Sequence, residues 1–148
     1  MNTKASEAIC GLLIAAVLSQ GAVFADGRFD RARLVVGSAQ VEGALVSDSR
    51  TERLIFESGG SLPMQIAFGS IKSIRYERTA RPNYAAGLLV AWPLLFTKTK
   101  QHFVTIHYVD GSGTGQFVVV RLDKSNVRGA LDALEADSGI RIERIEER

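Results

Sequence analysis

Apolar and polar residues alternate along much of the chain after about residue 34, and this period of two is the feature that most restricts the fold. The cleanest run is 62–68, in which Leu62, Met64, Ile66 and Phe68 share one parity. Successive side chains of a β-strand point to opposite faces of the sheet, so the alternation predicts strands with one buried face. The chain is therefore expected to be mainly β.

Further short apolar or alternating runs are separated by turn-forming residues. These runs cover 34–36, 41–45, 54–56, 74–78, 102–109 and 116–122. Glycine-containing turns at 59–61 and 110–113 each favour a hairpin, because glycine reaches positive φ at little cost. The run 116–122 is apolar on both faces, which indicates a central strand. A break in the alternation after Phe68 predicts one helical turn.

After the first 25 residues, one stretch has the period of an amphipathic helix. Its apolar positions are spaced i, i+3, i+4 and i+7, namely Val127, Ala130, Leu131 and Leu134. Ser125 or Asp123 is expected to cap the start of the helix, and Gly139 fits the left-handed position after its end. Ile140 and Ile142 then suggest a short final strand. The predicted order is about seven antiparallel strands followed by one helix.

Several segments together resemble the pleckstrin-homology-like fold, in its GRAM-type form and in small exported bacterial proteins of unassigned function. They are 43–47, 54–56, 66–76, 102–106 and the helix ending 131–139, and the resemblance covers about residues 30–143. It implies a partly open barrel with the C-terminal helix capping one end. Lipid binding in that family usually depends on basic residues around the first hairpin. Residues 36–40 hold no Lys or Arg, so phosphoinositide binding is not carried over.

The first 25 residues have the order of a secretory signal. A polar start with Lys4 is followed by an apolar run from Ala8 to Leu18, and small residues stand one and three positions before Asp26. As a helix, the run would span about 16 Å, against a hydrocarbon core of about 30 Å. We expect 1–25 to be a cleaved signal and 26–148 to form a single exported domain, periplasmic or extracellular.

The segment 84–96 interrupts the strand pattern, because it holds no charge and does not alternate. It is too short to span a bilayer as a helix, and Pro93 would interrupt such a helix. Aromatic residues that favour a membrane interface and flanking lysines indicate contact with a membrane or a protein partner. The expected contact residues are Tyr84, Leu88, Leu89, Trp92, Leu94, Leu95, Phe96, Lys98 and Lys100. Packing of this segment on the domain's own core, or its use as an oligomer interface, remain alternatives.

Other functional classes find little support in the residues. The formal net charge of +2 is small and dispersed, which argues against nucleic-acid binding. Cys10, the only cysteine, lies in the predicted signal. His102 and His107 are five positions apart on one strand and so face opposite ways, which argues against a shared metal ion. No nucleophile elbow or phosphate loop is present.

These observations predict a non-enzymatic binding or scaffolding module of the bacterial cell envelope, peripheral to a membrane or to a membrane protein. No cofactor and no metal ion are expected, and the partner is an unknown protein or a membrane surface. A soluble, self-associating domain is the first alternative. A small ligand carrier or hydrolase is the second, for which the sequence offers no candidate pocket residue.

Overall fold

The computed structural model describes residues 27–37, 39–79 and 99–146. The predicted signal 1–25 and the apolar segment 84–96 lie outside the described residues. The described elements are eight strands, one 3-10 turn and one α-helix. In chain order they are β1 (Gly27–Val36), β2 (Ala39–Asp48), β3 (Arg53–Ser58), β4 (Met64–Ala67), the 3-10 turn (Phe68–Ser70), β5 (Ile71–Thr79), β6 (Gln101–Val109), β7 (Gly115–Leu122), α1 (Val127–Ser138) and β8 (Glu143–Glu146).

The strands form one open, eight-stranded sheet in the order β4-β3-β2-β1-β7-β6-β5-β8. Every neighbouring pair is antiparallel except β5 and β8, which run parallel. Strand β7 lies between β1 and β6, so the central position expected for 116–122 is confirmed. The mainly β prediction is also confirmed, and the architecture is consistent with a pleckstrin-homology-like fold.

The final strand begins later than the sequence indicated. Ile142 is not paired in the sheet; its side chain is buried in the core and its backbone N–H donates to the Glu135 side chain at 2.9 Å. Pairing starts at Glu143, opposite Arg75 of β5. An edge strand of only four residues follows from this arrangement, and it runs parallel to β5, unlike the antiparallel strands expected.

The hydrophobic core lies on one face of the sheet, where the strands and α1 meet. Ala130, Leu131 and Leu134 of the helix are buried there, as their spacing predicted. The strand residues of this core alternate along the chain, and include Leu45, Leu54, Phe56, Ile66, Ile74, Val104, Ile106 and Val120. Burial of this alternating set against the helix supplies the main stabilisation of the fold.

The two ends of α1 differ in how well they were anticipated. Gly139 takes the left-handed conformation with φ 68°, as expected for a residue that ends a helix. The cap at the start is neither Ser125 nor Asp123, because Asn126 occupies that position and makes no side-chain capping bond. Asp123 instead accepts hydrogen bonds from the backbone N–H and hydroxyl of Ser125, at 3.1 and 2.6 Å, and so fixes the turn before the helix.

Strand β6 is buried on both faces. Val104 and Ile106 point into the core, whereas Phe103 and Thr105 have the opposite parity and are 2% and 6% exposed. Phe103 is not a member of the core cluster. Neighbouring strands contribute further buried residues of this second face, namely Glu77, Thr79 and Val119.

Candidate functional site

A basic cleft of about 480 Å³ lies where β6 begins and β7 ends, beside the middle of β1. Its walls carry five cationic side chains, those of Arg31, Arg33, Lys100, Arg121 and Lys124, and two carboxylates, those of Glu42 and Asp123. This volume lies within the range of small-ligand sites. The cleft is the candidate functional site among the described residues.

A bulge in β1 brings Arg31 to the cleft. The register between β1 and β2 shifts between Phe29 and Ala32, and Arg31 has a φ of 57°, which is uncommon for a residue other than glycine. Its guanidinium lies 3.7 Å from the Asp123 carboxylate and 3.4 Å from the Ser125 hydroxyl. The bulge therefore ties β1 to the turn that precedes α1.

Arg33 and Arg121 lie opposite each other on the antiparallel strands β1 and β7. Arg33 is also the cross-strand partner of Glu42, and the two side chains are 3.5 Å apart. The half-buried Arg121 donates to the Gln40 side chain at 3.4 Å. Burial, and next the positive charge of Arg33, lower the pKa of Arg121. Two like charges are thus held side by side in the wall of the cleft.

His102 contributes the aromatic part of the cleft wall. Its Nδ1 lies 2.7 Å from the Tyr76 hydroxyl, and the two rings stack with centroids 6.0 Å apart. Burial is the main cause that lowers the pKa of His102, and the charges of Arg78 and Lys124 lower it further. These effects favour the neutral imidazole, which accepts a hydrogen bond at one nitrogen and donates one at the other.

The fold concentrates charge that looks dispersed in the sequence. The five cations of the cleft come from β1, β7 and the chain just before β6 and just after β7. They outnumber the two carboxylates, so the cleft has an excess of three positive charges at pH 7. An arrangement of this kind binds anions, because fixed cations in a concave wall raise the local positive potential.

Of the contact residues predicted from sequence, only Lys100 is described, and it lies in the wall of the cleft. Tyr84, Leu88, Leu89, Trp92, Leu94, Leu95, Phe96 and Lys98 lie outside the described residues. Sequence reasoning missed Arg33 and Arg121. Arg121 is the only charge in the largely apolar strand β7, which was an available signal, but Arg33 lies in a strand with other charges. The pairing of the two depends on β1 lying beside β7.

Two further properties concern metal and membrane. Residues 27–37, 39–79 and 99–146 contain no cluster of three His, Cys, Asp or Glu side chains arranged to hold a metal ion. Within those same ranges, no helix has the length and apolar character that a bilayer crossing needs. His102 pairs with Leu122 of β7, whereas His107 pairs with Phe117, so their opposite parity on β6 is as expected.

Comparisons with known proteins add little to this picture. No family model matches the chain, and no curated protein matches it. Among solved structures, the chain is similar to one from the Spt16D Pob3N heterodimer, with 13% sequence identity and a TM-score of 0.48. The matched region covers 84% of this chain and 56% of that chain. The chain thus spans little more than half the length of that structural neighbour.

Proposed function

We propose that this protein is a non-enzymatic binding module of the bacterial cell envelope that attaches peripherally to an anionic membrane surface. In this proposal, the basic cleft supplies electrostatic attraction and the apolar segment 84–96 supplies contact with the bilayer interface. Binding of peripheral proteins to such surfaces combines buried apolar area with attraction between basic side chains and anionic headgroups.

The observation that carries the proposal is that the cleft is lined by residues that follow the segment 84–96 closely along the chain. Strand β5 ends at Thr79 and β6 begins at Gln101, and these two residues are cross-strand partners. Thr99, Lys100 and Gln101 all line the cleft. Chain connectivity alone keeps residue 96 within about 11 Å of Thr99. The apolar segment 84–96 is therefore joined by a few residues to the basic cleft.

Vesicle flotation tests this proposal. The exported protein, recovered after removal of its signal and checked by mass spectrometry, is mixed with phosphatidylcholine vesicles or with vesicles that also contain phosphatidylglycerol. The core-cluster residues that the structure describes lie between Ala32 and Ile142, after the predicted signal. We expect flotation with the anionic vesicles and weaker flotation at high salt, because salt screens exposed charges.

Variants separate the two contributions. Trp92→Ala with Leu95→Ala is expected to reduce flotation because apolar contact with the bilayer is lost. Arg33→Gln with Arg121→Gln is expected to reduce it because attraction to the anionic headgroups is lost. Arg50→Gln with Arg128→Gln removes the same charge from exposed positions outside the cleft and is the matched control. Failure of the wild-type protein to float would overturn the proposal. Unchanged flotation of the Trp92/Leu95 variant would remove the segment from it.

One observation favours the alternative in which 84–96 is buried within the protein. Phe103 and Val119 are buried on the face of the sheet opposite the core. Phe103 follows the end of the segment by only a few residues along the chain. Iodide quenching of fluorescence distinguishes the two, because Trp92 is the only tryptophan. Strong quenching in solution supports an exposed segment, and weak quenching in a monomer confirmed by light scattering supports burial. Weak quenching in an oligomer supports an interface between copies.

A further inference from the structure

Arg33 and Arg121 form a like-charged cross-strand pair that the fold itself does not require. They are directly opposed on neighbouring antiparallel strands. Like charges in this relation destabilise a sheet, in contrast to opposite charges or apolar pairs. One of the two, Arg33, has a carboxylate neighbour in Glu42 at 3.5 Å. Arg121 has no carboxylate within ion-pair distance among the described residues and interacts with Asp123 only at longer range, so the positive charge of the pair is only partly compensated.

Arg121 is the member of the pair with unused hydrogen-bonding capacity. A guanidinium has five N–H donors, and that of Arg121 makes one long bond, of 3.4 Å, to the neutral side chain of Gln40. Within the described part of the chain, no ion pair joins it to a carboxylate. The residue is half-buried in the cleft wall. The Asp123 carboxylate acts on Arg121 only from beyond ion-pair distance. A partly desolvated cation with no carboxylate in contact is unfavourable, and an anion bound beside it reduces that penalty.

The rest of the cleft is suited to an anion with more than one negative charge. Its cations exceed its carboxylates by three, counting Lys100 and Lys124 with the three arginines. Two guanidinium groups on adjacent strands present planar forks that match the oxygens of a phosphate, to which arginine binds in a bidentate manner. His102 also lines the cleft, on the core-facing side of β6.

We propose that the cleft binds a phosphate group between Arg33 and Arg121, as part of a phosphate ester that is either a lipid headgroup or a soluble molecule. This inference rests on the proposed function in that it names the chemistry recognised by the same cleft. It differs in that phosphate binding by the cleft requires no membrane. The proposed site lies on β1 and β7. It differs from the lipid-binding region of pleckstrin-homology domains, which usually lies around the first hairpin.

Titration with inorganic phosphate and with glycerol phosphate, at constant ionic strength maintained with chloride, tests the site. Binding is followed by NMR of the arginine Nε–Hε and His102 ring resonances. We expect saturable shifts at Arg33, Arg121 and His102, and a Kd roughly tenfold or more higher in Arg121→Gln. Arg121→Lys keeps the charge without the fork and is expected to bind with intermediate affinity.

Arg128→Gln, an exposed change on α1, is the matched control and should leave the Kd unchanged. Thermal unfolding of each variant checks that the fold is intact, and Arg33→Gln provides a second test should Arg121→Gln unfold. No saturable binding, or equal Kd values for the wild type and for folded Arg121 and Arg33 variants, would overturn the inference.

The two phosphate sources, and the two proposals, give different results. Competition between glycerol phosphate and phosphatidylglycerol vesicles for the wild-type protein supports a headgroup as the ligand. Saturable binding of soluble phosphate without flotation supports the phosphate site with a soluble ligand and overturns the membrane proposal. Flotation without phosphate binding at Arg121 leaves the membrane proposal standing and overturns the phosphate site.

Discussion

The Tyr76 hydroxyl lies 2.7 Å from Nδ1 of His102, and this hydrogen bond links adjacent strands at the edge of the basic cleft. Tyr76 is 8% exposed, so its hydroxyl is largely removed from water. With Nδ1 unprotonated, the hydroxyl donates and the imidazole accepts. This arrangement of the hydrogen bond is compatible with the neutral ring that burial favours. It connects the core to the site, because Tyr76 is a core residue and His102 lines the cleft.

The pKa of His102 should be below its ordinary value of 6.5 when measured by NMR. The unfolded chain then binds more protons than the folded one just below pH 6.5, so stability falls as the pH is lowered through that range. His102→Gln should flatten this part of the profile, measured by urea denaturation at a series of pH values. An identical pH profile in His102→Gln would contradict the prediction.

Tyr76→Phe should lower the free energy of unfolding by about 1 kcal/mol.

Asp110 organises the turn between β6 and β7. Its carboxylate accepts from the backbone N–H of Ser112 and Thr114, at 2.9 and 3.0 Å, and from the Gln116 side chain at 3.1 Å. Hydrogen bonds to the carboxylate lower the pKa of Asp110 to about 2, and the bond from the Ser112 hydroxyl has the largest effect. A lowered carboxyl pKa stabilises the fold above the unfolded value of 3.8, and the benefit is lost as the pH falls towards 2.

Replacement of this carboxylate tests that reading of the turn. Asp110→Ala should lower the Tm at neutral pH, and the difference from wild type should shrink as the pH falls from about 4 to about 2. Asp132→Ala, on the exposed face of α1, is the control, since its ion pair with Arg128 is long, at 4.0 Å, and exposed. A Tm difference for Asp110→Ala that does not change with pH would argue against the carboxylate as its cause.

Gly43 is required where β2 passes close to β3. A Cβ atom at this position would meet the backbone carbonyl oxygen of Glu57 and lie 2.9 Å from Cζ of Phe56. Because a backbone carbonyl cannot move aside cheaply, Gly43→Ala should lower the free energy of unfolding by about 3 kcal/mol or more. Gly59→Ala meets nothing within 4 Å and should change it by less than about 0.5 kcal/mol. Equal urea midpoints for the two variants would refute the close approach.

Leu134 anchors α1 to the sheet. It is 0% exposed and belongs to the core cluster, whereas Leu62, in the turn between β3 and β4, is 94% exposed. Leu134→Ala should lower the free energy of unfolding by about 2–5 kcal/mol through lost apolar burial and a residual cavity. Leu62→Ala, the same chemical change at an exposed position, should have little effect. Chemical denaturation of both variants measures the difference, and a small loss for Leu134→Ala would contradict the packing of the helix.

Local patterns predicted the elements well where one physical rule dominated. The alternation from Leu62 to Phe68 predicted β4 and its buried face at Ile66, but it was wrong for Leu62, which precedes the strand and is 94% exposed. The helical spacing of Ala130, Leu131 and Leu134 gave the buried side of α1. The prediction was wrong where one side chain has two possible local partners. In the turn before α1, Asp123 accepts a hydrogen bond from Ser125 instead of capping the helix.

The sequence by itself determined the mainly β class, the terminal helix, the hairpin turns and the parity of most buried residues, because these depend on side-chain periodicity and on the backbone freedom of glycine. Only the tertiary structure decided that β1 lies beside β7. That pairing sets Arg33 against Arg121 and gathers cations from distant parts of the chain into one cleft. Contacts between residues far apart in sequence follow from how the sheet closes on its core, and no local pattern contains that information.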